Sequence, residues 1–69
     1  MLGNIIKKIR NQLGITQEQL AHELDISFST INRWENRHTS PSRLAKRRLL
    51  EFCKNSNVDI TIISELEGL

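Results

Sequence analysis

The sequence is poor in the devices that usually staple a small domain. Cys53 is the only cysteine in 69 residues, so no intrachain disulfide can form. Together with His22 and His38 it fits no zinc-ligand spacing. His22, His38 and Cys53 fall on three different predicted elements, with no acid pair, glycine-rich phosphate loop or metal triad beside them. No enzyme chemistry, metal or cofactor is therefore expected, and no small-molecule ligand is evident. No apolar run is long enough to span a bilayer. Lys7 and Lys8 follow a short apolar stretch, and no secretory h-region comes after them. Repeats and low-complexity stretches are absent, and the chain is too short for two domains. We expect a cytoplasmic, soluble single domain, stabilised by helix packing or by oligomerisation.

Basic residues are missing from one end. Residues 1–55 hold all ten Lys and Arg against five acids, a net of +5. Residues 56–69 hold three acids (Asp59, Glu65, Glu67) and no base, a net of −3. A basic body suits a polyanion, although a solvated helix surface explains the same charge equally well.

Up to residue 55 the apolar spacing is helical. Leu2, Ile5, Ile6, Ile9 and Leu13 form one stripe, predicting a helix over about 2–13, and Gly14 supplies the positive φ that ends it. Thr16 with Gln19 reads as a capping box for a short helix whose inward face is Leu20, Ala21 and Leu24. Asp25 suits a tight turn, Ser27 a new cap, and helix follows from Phe28 to about Asn36. Residues 37–41 read as a loop, with Ser40 as cap and Pro41 in the first turn of a helix reaching about Lys54. Asn55-Ser56-Asn57 breaks that helix. The β-branched run Val58–Ile63 is expected to be extended, with a short fifth helix as the alternative.

Gln17–Leu24 and Phe28–Asn36 thus make two short helices joined by a tight turn. On the second, Ile31 and Trp34 share one face with Glu35 at its edge. Ser29, Asn32, Arg33 and Asn36 lie opposite, flanked by Phe28 and Thr30. Arg and Asn have the bidentate geometry that matches guanine and adenine edges in the major groove. An ordinary solvated face is the plainer reading of the same pattern.

This constellation resembles the helix-turn-helix family of the lambdoid phage repressors and Cro, the Cro/C1 or XRE type. The resemblance covers about residues 5–54. It is carried by Ile9-Arg10, Gly14, Thr16-Gln17, Leu20-Ala21, Leu24, Ile26-Ser27, Ile31, Trp34-Glu35-Asn36 and the loop to Pro41. Asp25 departs from the glycine common at the turn. The resemblance implies an all-α, compact, four- to five-helix lambda-repressor-like fold. It implies a DNA-binding domain over residues 1–56, with residues 57–69 as an acidic, apolar tail that could serve dimerisation. Phe28, Ser29, Asn32 and Arg33 would meet base edges of double-stranded DNA. Gln17, Asn36, Arg37, Ser42 and Arg43 would meet phosphates. Arg10 and Glu35 would form a structural ion pair behind the recognition helix.

Some readings stay open. Phe28 can meet thymine methyl groups or fold back into the core. On the fourth helix Ala45, Leu49, Phe52 and Cys53 form the inward stripe, so Cys53 reads as a small hydrophobe. Arg43, Arg47 and Lys54 lie on the far side, consistent with phosphate attraction; the plainer reading is a charged face with Glu51 pairing to Arg47 or Lys54. Leu50 projects away from the stripe. With an extended tail lacking a partner strand, either the tail folds over Leu50 in the same chain, or Leu50 and the tail meet their counterparts across a two-fold axis; the homodimer is the favoured reading. The expected function is a transcriptional repressor or regulator that occupies an operator. The alternative is an antitoxin or phage accessory protein acting through protein contacts.

Overall fold

A computed structural model describes residues 2–37 and 40–69, so His38 and Thr39 of the loop expected over 37–41 lie outside the described residues. Five helices follow one another: α1 (Leu2–Leu13), α2 (Gln17–Leu24), α3 (Phe28–Asn36), α4 (Arg43–Asn55) and α5 (Ile60–Glu67). Among the described residues there is no strand, and the fold class is all-α.

The boundaries of the first three helices are set by contacts within a few residues. Gly14 sits at φ +67 and the Ile15 N–H donates to the Arg10 carbonyl at 3.1 Å, closing α1. Thr16 and Gln19 form the reciprocal box, with the Gln19 N–H on Thr16 Oγ1 at 3.0 Å and the Thr16 N–H on Gln19 Oε1 at 2.8 Å. Asp25 ends α2 in the left-handed region at φ 56, which Asp tolerates better than most residues. Ser27 then caps α3 by accepting from the Thr30 N–H at 3.2 Å.

Two expectations need correction. The cap of α4 is Ser42, not Ser40: its hydroxyl accepts from the Ala45 N–H at 3.1 Å, and Pro41 stands outside the helix. Both serines carry the same hydroxyl; Ser42 is the one with extended backbone, φ −63 and ψ 163, directly before the first helical residue Arg43. The second correction is the tail. Val58–Ile63 is not extended; Asp59 caps α5 by accepting from the Thr61 N–H at 2.8 Å. A lone strand would leave its backbone groups unpaired, whereas a helix satisfies them internally. The turn into it uses Asn57 at φ 58, with the Val58 N–H on the Cys53 carbonyl at 3.0 Å. Burial then outweighs β-propensity, because Val58, Ile63 and Leu66 all enter the core.

That core joins all five helices. Ile5, Ile6 and Ile9 of α1 meet Leu20 and Leu24, Ile31 and Trp34, Leu49 and Cys53, and the tail residues. α1 packs on α3 and α5, α2 on α3 and α4, and α4 on α5. Leu50 is half-buried against the same cluster. Gly3 permits the closest approach: a Cβ there would lie 2.7 Å from the Glu35 carbonyl oxygen and 3.1 Å from that of Trp34. Gln12 fastens the far end of α1 to the last turn. Its Oε1 accepts from the Asp59 N–H at 2.9 Å and its Nε2 donates to the Asn57 carbonyl at 3.3 Å.

Candidate nucleic-acid interface

The turn between α2 and α3 sets the geometry of the candidate site. With Asp25 left-handed, the Ile26 N–H reaches back to the Ala21 carbonyl at 3.0 Å, and α3 restarts at once in a new direction. Ile31, Trp34 and Glu35 turn inward from α3, which leaves Phe28, Ser29, Arg33 and Asn36 exposed and Asn32 half-buried. Phe28 is 48% exposed, so it does not fold into the core.

Several of these groups are held before any partner arrives. The Ser27 hydroxyl lies 2.8 Å from the Thr30 hydroxyl and 3.2 Å from that of Ser29. Asn32 Nδ2 donates to Gln17 Oε1 at 3.3 Å, joining the first residue of α2 to the middle of α3. The sequence holds no direct sign of this link, since the residues are fifteen apart and meet only through the crossing of two helices. Arg33 and Arg37 make no side-chain hydrogen bond or ion pair among the described residues.

Behind α3 lies the ionic buttress. Arg10 Nε and Nη2 donate to Glu35 Oε2 and Oε1 at 2.6 and 2.9 Å, and Arg10 Nη1 donates to the Ile15 carbonyl at 3.3 Å. The Glu35 side chain is 2% exposed and that of Arg10 20%. Burial alone would push the Glu35 carboxyl upward. Hydrogen bonding from Arg10 and the neighbouring Gln17 amide, with the charges of Arg10 and Lys7, outweighs it and holds the pKa below the usual carboxylate value. The guanidinium ties the end of α1 to the back of α3 and so fixes how α3 is presented.

The remaining candidates sit at the other end of α3. Asn36, Arg37, Ser40 and Pro41 border one cleft with Lys46 and the start of α1. Ser42 and Arg43 are exposed at the beginning of α4, the Ser42 oxygen already accepting its capping bond. Glu51 pairs with neither Arg47 nor Lys54; Lys54 instead meets Glu67 at 3.9 Å. Cys53 is fully buried, and burial pushes its thiol up to about 11. Among the described residues no three His, Cys, Asp or Glu side chains converge as a metal site would need, and no helix is long and apolar enough to cross a membrane.

Two short helices at a left-handed turn, the second offering a solvated polar face and braced from behind, define a DNA-binding helix-turn-helix. The chain belongs to the helix-turn-helix family of the Cro/C1 type, whose sequence model matches residues 6–56. No curated protein and no solved structure shows significant similarity to it.

Proposed function

We propose that this DNA-binding regulator is a sequence-specific repressor, which acts by occupying an operator. The observation that carries this reading is the face of α3. Phe28, Ser29 and Arg33 stand exposed beside Asn32 on a helix whose opposite side is locked by Ile31, Trp34 and the Arg10–Glu35 pair. In this reading Arg33 and Asn32 read purine edges, Ser29 contacts a base, and Phe28 packs on thymine methyl groups. Gln17, Asn36, Arg37, Ser42 and Arg43 hold phosphates, Gln17 with help from the positive end of α2.

One recognition helix reads only a few base pairs, so the functional form is a homodimer on two half-sites. Exposed apolar side chains support this: Ile60 is 76% and Leu44 59% exposed. The tails cannot pair as strands, so any such contact is made by helix faces. The rival reading, a module working through a free apolar tail, is weakened because Val58, Ile63 and Leu66 are buried in the chain's own core.

Selection of bound duplexes from a random pool tests the proposal. The expected result is a two-fold symmetric motif with half-sites about one helical turn apart. Recovery of no enriched sequence at low salt refutes it.

A further inference from the structure

The cations of α4 divide by what they touch. Lys46 Nζ donates to the carbonyl oxygens of Glu67 and Leu69 at 3.1 and 2.7 Å. Arg48 Nη1 donates to the Leu24 carbonyl at 3.3 Å, at the negative end of α2. Lys54 has Glu67. Arg43 and Arg47 are left: both are exposed, and among the described residues neither makes a side-chain hydrogen bond or an ion pair, not even Arg47 with Glu51 one turn on. They are one turn apart, about 6 Å along the axis, on the side roughly 120–160° away from buried Leu49. Like charges at this spacing repel.

We infer that Arg47 extends the DNA contact beyond the recognition helix, holding a backbone phosphate in the duplex that flanks the base-read site. The inference rests on the DNA-binding reading and goes past it by adding a residue and a direction. Three points on the molecule favour this occupant. The arginine pair is electrostatically incomplete and a phosphate completes it. Arg43 is the first residue of α4 and adjoins Ser42, so the stripe continues the proposed phosphate-contacting edge. Arg47 stands one turn further along that helix than Arg43. A flat guanidinium also suits phosphate oxygens better than a lysine would. Such a contact adds affinity without sequence preference.

The test compares two duplexes: the selected site alone, and the same site with about one more helical turn on each side. Arg47→Gln is measured on both across a salt series, with Lys54→Gln as the control and melting curves to show that both fold. On the longer duplex Arg47→Gln should lower the slope of log K against log salt by about 0.9 per bound chain, a loss on the order of five- to tenfold at 0.1 M salt. On the short duplex it should match the parent protein, base preference should not change, and Lys54→Gln should leave both slopes alone. Equal slopes for parent and Arg47→Gln on the longer duplex overturn the inference. Equal loss on both duplexes also overturns it, placing the contact inside the site. A parent protein that binds no duplex would instead sink the DNA-binding reading on which this one stands.

Discussion

Replacing Glu35 by alanine should be among the most damaging single changes to this fold. The pair it breaks is bidentate, and the carboxylate is almost wholly withdrawn from water. Without it the Arg10 guanidinium keeps only the Ile15 carbonyl at 3.3 Å and remains partly enclosed as a positive charge. Breaking one side of a buried pair costs about 3–5 kcal/mol, and the residual access of Arg10 to water puts this case near about 3 kcal/mol. For a domain of this size total stability is only about 3–10 kcal/mol, and each kcal/mol moves Tm by about 4–8 °C. Thermal unfolding followed by circular dichroism should therefore show Glu35→Ala melting on the order of 12–24 °C below the parent. The double change Arg10→Met with Glu35→Leu should recover much of that loss, because it removes both charges and keeps the volume. A pH series isolates the charge. Since the folded carboxyl lies below its unfolded value of about 4.3, its contribution is complete above that pH and is lost as pH falls through the folded value. The parent should thus lose Tm on acidification more steeply than Glu35→Gln. A Glu35→Ala protein melting within a few degrees of the parent, or a double variant no better than the single one, would refute the buttress.

Other outcomes follow from the same geometry. Arg33→Ala should weaken binding to the selected site by about 1–3 kcal/mol and relax preference at one position per half-site; equal loss on unrelated duplexes makes Arg33 a phosphate contact instead. Gln17→Ala and Asn32→Ala should be non-additive on DNA affinity, with a coupling of about 0.5 kcal/mol or more, and a double-mutant cycle that closes to zero rejects the amide link. Gly3→Ala should destabilise by about 1–3 kcal/mol although alanine is the better helix former, because its Cβ meets the Glu35 carbonyl; a raised Tm would show that α1 can shift to admit it. The Cys53 thiol, fully buried and raised to about 11, should resist a disulfide reagent at pH 8 until the protein is unfolded by urea, and rapid labelling of the native state would contradict the packing.

What the sequence made legible is what is decided locally. The Thr16–Gln19 box, left-handed Asp25 and the Ser27 cap each depend on groups within a few residues, and all stand where the pattern puts them. The exposed face of α3 was legible for the same reason, since helical periodicity alone separates Ile31 and Trp34 from Arg33 and Asn36. The choice of Ser42 over Ser40 was not, because both carry the same hydroxyl and two residues separate them. The tail was misread because its β-branched residues state a local preference that burial of Val58, Ile63 and Leu66 overrides. Gly3 carries no sign in the sequence, because its reason is a carbonyl on another helix.

The charge pattern changes meaning once the chain is folded. In sequence there is a basic body and an acidic tail, which could be read as two ends available to two partners. In the fold the tail's groups take up lysines: Glu65 meets Lys8 at 3.2 Å, Glu67 meets Lys54, and the last carbonyls meet Lys46. Arg10 is held by Glu35, and Arg48, though exposed, donates to the Leu24 carbonyl at the end of α2. Among the described residues the exposed arginines that make no side-chain hydrogen bond or ion pair are Arg33, Arg37, Arg43 and Arg47, from α3 to the first two turns of α4. Exposed lysine pairs of this kind add little stability. Their larger effect is subtractive: the tail's carboxylates engage Lys8 and Lys54, whereas these four arginines keep unpaired charge. Unpaired positive charge of this kind attracts an approaching polyanion before any contact forms.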